Sequence, residues 1–203
     1  LGYKNFIELG YDRMGRMGYA SKEVAGFRDA VKEFIIPVTQ TLNKLKKKRI
    51  GLDNLYYYDE AFSFRDGNHV PKGSPEWIVD KANKMYKELS EETGSFIKFM
   101  IDHDLMDLYN RKGKSAGGYC TYIANHESPF IFSNMNGTSD DIRVLTHEAG
   151  HAFQVYESRD FEIMEYIHPS SDACEIHSMS MDFITWPWMQ LVFEEDTDTF
   201  LYL

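Results

Sequence analysis

Apolar residues recur at helical spacing over much of the chain. Val24, Phe27, Val31, Phe34, Val38, Leu42 and Leu45 lie three or four positions apart behind Ser21, which predicts a long amphipathic helix capped by that serine. Pro37 falls within it; its ring supplies no backbone donor and crowds the preceding turn, so a bend is expected there. Gly51 is the expected stop. The cations of KLKKKRI before it suit the negative end of a helix dipole better than they suit a nucleic-acid surface. The aromatic, turn-rich stretch LYYYDEAFSFRDGNHVPKG reads as a loop. Ser74-Pro75-Glu76 then opens a second helix, a cap ahead of proline at the first helical position, with Ile78, Ala82, Met85 and Leu89 as its buried stripe. Gly94 is expected to end it, and another helix is predicted from about Ser95 to Tyr109.

Beyond RKGKSAGG the period shortens. Tyr119 to Ala124 and Phe130 to Met135 are short, aromatic and β-branched, with the turn residues NHESP between them, and predict an antiparallel hairpin. Asn136-Gly137 closes the second strand. Thr138 or Ser139 can cap a helix with Asp140 and Asp141 in its first turn, and Ile142, Leu145, Ala149, Ala152, Phe153 and Tyr156 share one stripe of it. A last helix follows Pro169, capped by Ser171 or Asp172, with Ile176, Met179 and Phe183 on its apolar face. The expected fold is mainly α with one small antiparallel sheet.

At 203 residues the chain can bury a core without disulfide staples. Its net charge of −10 argues against a nucleic-acid partner, whose binding needs Lys and Arg on phosphates. No apolar run reaches membrane-spanning length. Cys120 and Cys174 lack metal-motif spacing and read as free thiols in a reducing compartment, so the cytoplasm is expected. LGYKNFIELG shows no secretory pattern and no initiator Met, and DTDTFLYL ends without a helix stop. Both ends read as cut, and a piece of a longer protein is expected.

The chemistry concentrates in THEAGHAFQ, residues 146–154. On a helix His147 and His151 are one turn apart and only about 40° apart in projection, so both imidazoles can reach one zinc ion. Glu148 lies about 100° round from His147, beside the metal rather than on it, where a general base for water belongs. Gly150 costs a helix interior roughly 1 kcal/mol relative to Ala, a cost that close approach of another backbone would justify. Catalytic zinc usually takes three protein ligands. The metzincin pattern is excluded, because Gln154 and Glu157 occupy the places of its glycine and third histidine.

Candidates for the third ligand lie around SSDACEIHSMSMDF. Glu175 is at the edge of the helix face and can point inward, although Asp172 and Glu175 also fit a capping box. His168, ahead of Pro169, is the rival. His177 is about 200° from Glu175 and cannot share its metal, which leaves it on the surface or in a layer behind the ligands. Asp182, seven residues past Glu175, shares its face and could accept the second N–H of a zinc-bound histidine. Gly117-Gly118 and Tyr119 suggest a strand edge where a peptide backbone could approach and pair, with Tyr122 a further contact.

The runs GGYCTYIANHESPFIFSNMNGTSDDIRVLTHEAGHAFQ and SSDACEIHSMSMDF resemble the oligoendopeptidase F branch of the thimet oligopeptidase-like zinc peptidases. The similarity extends upstream through FRDAVKEFIIPV and LYYYDEAFSF, and so over most of the chain. The resemblance implies His147, His151 and Glu175 as ligands of one Zn²⁺ and Glu148 as the catalytic residue. It implies a helical, zincin-like catalytic region in a two-lobed oligopeptidase whose channel admits short peptides. Residues 1–203 would then be one region of its catalytic domain, with a helical portion at 1–110 and the strand pair and zinc-binding helices at 117–203. It also implies a Tyr- and His-bearing segment C-terminal to the site, which does not occur after Asp182 here. Two other functions are compatible with the motif: a catalytically inactive zinc-binding or metal-free peptide-binding domain, and an aminopeptidase, for which no N-terminal-amine anchor is evident.

Overall fold

The computed structural model describes residues 2–193, in two compact units divided between Asn68 and His69. In the first unit, α1 (Phe6–Arg13), not foreseen from the pattern, is capped by Asn5, whose side chain accepts from Ile7 and Glu8 N–H. The long helix forms as α2 (Ser21–Ala30), a π-turn (Val31–Ile35) and α3 (Ile36–Ile50). Its irregularity lies just ahead of Pro37, where Ile36 N–H reaches back to the Val31 carbonyl, so the missing proline donor is absorbed as a wide turn. Ala20, not Ser21, is the cap residue, and its N–H bonds the Glu23 carboxylate. Gly51 closes α3 at φ 75°, and the basic run turns inward on the loop that follows: Lys46 bonds the Glu60 carbonyl and Arg49 the Ser63 carbonyl. The apolar stripe through Phe27, Phe34, Val38, Leu42 and Leu45 is exposed rather than buried.

The second unit carries the rest. Ser74 caps α4 (Pro75–Leu89), in which Ile78, Ala82 and Met85 of the predicted stripe are buried and Leu89 is partly buried. Gly94 does not end a helix; it lies inside α5 (Glu91–Asp102), where an added Cβ would stand 3.2 Å from Lys87 Cα, so it permits the tight α4–α5 corner that Ser90 caps. Nor does α5 reach Tyr109. The chain turns at Asp104 in a left-handed conformation and becomes strand β1 (Met106–Tyr109). β2 (Tyr119–Ile123) and β3 (Ser128–Met135) form the expected antiparallel hairpin, and β1 adds in parallel on the other side of β3. The strand order β1-β3-β2 leaves β2 at an edge.

α6 (Asp140–Ser158) follows the sheet, and buried Asp141 accepts from the N–H groups of Asn136 and Gly137 to fix where it starts. Ile142, Leu145, Ala149 and Ala152 join Tyr86, Phe96, Met100 and Ile131 in one core. α7 (Ser171–Ile184) packs along α6, with Ser170 instead of Ser171 or Asp172 at its N-cap position and no capping bond from the Ser170 side chain. Its expected apolar face, Ile176, Met179 and Phe183, is exposed, and Ser178 and Met181 are buried instead. Gly150 permits this packing: a Cβ there would meet Ser178 Cα at 2.7 Å, so the bare glycine lets the Ser178 side of α7 close against α6. A short α8 (Gln190–Phe193) completes the described residues.

Candidate active site

α6 and α7 meet where the motif predicts. His147, His151 and Glu175 each direct one ligand atom to a common point, all within 4.8 Å of one another. His147 Nε2 is 3.2 Å from Glu175 Oε2, and His151 Nε2 is 3.7 Å from Glu175 Oε1. Donors sharing one tetrahedral ion at zinc's bond lengths stand roughly 3.3–3.6 Å apart; the two distances to Glu175 are close to this, and the nitrogen–nitrogen–oxygen set has the chemistry to hold such an ion. The two imidazoles are nearly perpendicular, with centroids 5.0 Å apart.

Two of the three ligand candidates are braced from behind. Asp182 Oδ2 is 3.2 Å from His147 Nδ1, and its Oδ1 accepts from Thr146 Oγ1 at 2.6 Å. A carboxylate on Nδ1 selects the tautomer that leaves Nε2 free to coordinate. Ser178 Oγ lies 3.1 Å from Glu175 Oε2, so Glu175 is oriented by its own helix and makes no capping box. Burial lowers the pKa of His151, favouring the neutral ring that a metal needs.

Glu148 stands beside this cluster and is 8% exposed. Among the described residues its Oε2 has no hydrogen-bond partner. Burial raises its pKa first of all, with His147 and the Cys120 backbone amide opposing. A carboxyl moved toward neutrality, with one oxygen unpaired, is suited to proton exchange. Gly118 adjoins it: a Cβ there would stand 3.6 Å from Glu148 Oε1.

The cluster opens into a groove of about 360 Å³ lined by Gly118 to Tyr122, Gln154, Val155 and His168. Five consecutive residues of one chain segment line it, as a strand does when presented edge-on. Tyr119 stacks on Phe132, and Tyr122 meets His168 edge to face. Gly117 is not in the lining; it turns the chain at φ +104° and its carbonyl accepts from Asn134. His168 stands outside the three-donor cluster, and the His177 side chain is exposed. Cys120 and Cys174 are free and both line the groove, and burial pushes the Cys120 thiol up to about 12. Sequence reasoning missed Thr146 and Ser178, hydroxyls whose partners are set by helix packing and carry no local signature.

The chain is similar to known peptidases. The chain is 27% identical over 143 residues to oligopeptidase PepF of Bacillus subtilis, covering 70% of the chain and 21% of that protein. It is 26% identical over 170 residues to an oligoendopeptidase F homolog of Borreliella burgdorferi, covering 83% of the chain and 28% of the relative. Among solved structures, an oligoendopeptidase F from Bacillus anthracis superposes with a TM-score of 0.95 at 61% identity, covering 98% of this chain and 37% of its own. PZ peptidase A, solved with an inhibitor, does so with a TM-score of 0.95 at 58% identity, over 98% of this chain and 36% of its own. The chain thus spans under a third of these curated relatives and little over a third of the solved ones. The model of peptidase family M3 matches residues 1–200, and the chain belongs to that family.

Proposed function

We propose that these residues form the metal-binding part of the catalytic centre of a zinc-dependent oligoendopeptidase, which hydrolyses internal bonds of short peptides. The observation that carries this reading is the convergence of His147, His151 and Glu175 beside a buried carboxylate, Glu148, with one oxygen unpaired. The two histidines and Glu175 would hold Zn²⁺. Bound there, the ion supplies Lewis acidity for the peptide carbonyl and makes water a nucleophile at neutral pH. Glu148 takes the proton from the attacking water and passes it to the leaving amine. Asp182 holds His147 by Nδ1, Ser178 holds Glu175, and the edge of β2 from Gly118 to Tyr119 aligns the peptide backbone, with Gly117 as its turn. The free thiols Cys120 and Cys174 support a reducing, cytoplasmic setting. No helix among the described residues is long and apolar enough to cross a membrane.

The test is Glu148→Gln in the full chain, assayed for zinc content and for cleavage of a quenched fluorogenic peptide with blocked ends. Zinc should remain stoichiometric while turnover falls by about 10²-fold or more. Undiminished turnover would remove Glu148 from the mechanism. Zinc without cleavage in the wild type would favour a peptide-binding module.

A further inference from the structure

The connection between β1 and β2, residues 110–118, contains a lysine that the chemistry above does not use. The Lys114 side chain is 2% exposed. A buried ammonium is stable only where its donors are met. Here Nζ donates to the backbone carbonyls of Tyr109 at 2.8 Å, Asp107 at 3.0 Å and Ser133, and to Asp107 Oδ1 at 3.0 Å. These acceptors belong to β1 and β3, so one cation ties the connection to two strands.

The same ammonium lies 4.4 Å from the centroid of Phe132. Phe132 stacks on Tyr119 with centroids 4.9 Å apart and planes within 14°. Tyr119 opens the edge strand and lines the groove. A second clamp acts on the same segment: Asn134 Nδ2 donates to the carbonyls of Ser115 at 2.9 Å and Gly117 at 2.8 Å. The segment then delivers Gly118, where a Cβ would lie 3.1 Å from Val144 Cγ1 and 3.6 Å from Glu148 Oε1. Lysine, aromatic stack and glycine turn therefore form one connected path from the interior of the sheet to the catalytic carboxylate.

We infer that Lys114 is a positioning residue: through the Phe132–Tyr119 stack and the Gly117–Gly118 turn it holds the β2 edge at a set distance from Glu148. An extended peptide backbone added to that edge then meets the base in one register. This rests on the peptidase reading above, so binding is measured apart from cleavage.

The test replaces Lys114 by Met, which keeps the apolar stem and removes the donors, in the full chain. Binding of a fluorescein-labelled peptide is measured by anisotropy in a Glu148→Gln background, with KM, kcat and zinc content measured in the otherwise unaltered enzyme. Peptide Kd and KM should rise about tenfold and kcat should fall with them as the peptide loses its register to the base, while zinc content holds. A lysine serving stability alone would lower the melting temperature and leave Kd of the folded protein unchanged, which overturns the inference. If Lys114→Met does not fold, Asn134→Ala loosens the same turn and is judged by the same Kd criterion. Wild-type protein that binds the peptide in this Lys114-dependent way but cleaves nothing would sink the peptidase reading alone; wild-type protein that binds no peptide would sink both.

Discussion

Replacing Gly150 by alanine puts a methyl group where α6 and α7 touch. The added carbon would lie 2.7 Å from Ser178 Cα, 2.9 Å from Met181 Cβ and 3.0 Å from the His177 carbonyl oxygen. Ordinary contact begins near 3.4 Å, so the helices must part by about 0.7 Å at Ser178. Ser178 lies between Glu175 and Asp182, so both carboxylates retreat from the histidines together. Metal–ligand distances tolerate only about ±0.2 Å, several times less than this displacement. The fold itself is affected less. Alanine favours a helix over glycine by roughly 1 kcal/mol, against about 1–3 kcal/mol for overpacking, a net loss of up to about 2 kcal/mol. Zinc affinity should therefore fall about 10- to 100-fold while most of the protein stays folded at 25 °C. A competition titration against a chromophoric chelator reads the first quantity, and thermal melting of the metal-free protein reads the second. An alanine variant that binds zinc as tightly as wild type would refute the argument that this close approach sets the ligand spacing.

Two further perturbations test the support around this contact. Asp182→Asn leaves an amide facing both His147 Nδ1 and Thr146 Oγ1, and one amide oxygen cannot serve both as the carboxylate does. Zinc affinity in the same titration should drop about tenfold, and wild-type affinity would show that the Asp182 contact does not strengthen the site. Asp107 concerns the sheet: the Arg111 guanidinium first, then the Lys114 ammonium, hold its carboxyl well below the usual carboxylate range. Its folded-state pKa lies below the unfolded value of about 3.9, so its stabilisation is complete above that value and is lost as pH falls toward the folded one. The stability difference between wild type and Asp107→Asn in urea melts should be constant between about pH 6 and 8 and shrink below about pH 4. A difference that persists unchanged to about pH 3 would break the linkage.

The parts of the site that one helix encodes were legible in the sequence. His147, Glu148 and His151 owe their arrangement to a period of 3.6 residues, and a local rule places them without knowledge of the neighbours. The third donor was legible as a candidate only, because Glu175 reaches the histidines by a packing of α7 on α6 that no spacing encodes. The same limit explains the misread face of α7. Ile176, Met179 and Phe183 satisfy a helical period, yet the small Ser178 and Met181 are buried because Gly150 lies opposite. β1 was hidden for a different reason. Four residues are too few to show a period, and its pairing partner, β3, is some 20 residues further on.

The helix pair also explains why Gly150 and Asp182 belong to one argument. His147 faces a carboxylate at each ring nitrogen, the fellow ligand candidate Glu175 at Nε2 and Asp182 at Nδ1, each at 3.2 Å. These carboxylates are seven residues apart on α7, a rise of roughly 10 Å along its axis, so one ring is held from two turns of the opposing helix. If α7 slid along α6, one carboxylate could approach the ring only as the other withdrew. The Gly150–Ser178 contact lies between them and fixes the distance across which both act. A metal site built on a loop could adjust to either change. Built on two helices in backbone contact, this one couples metal spacing, histidine tautomer and helix separation, so disturbing any one of them should register in the other two.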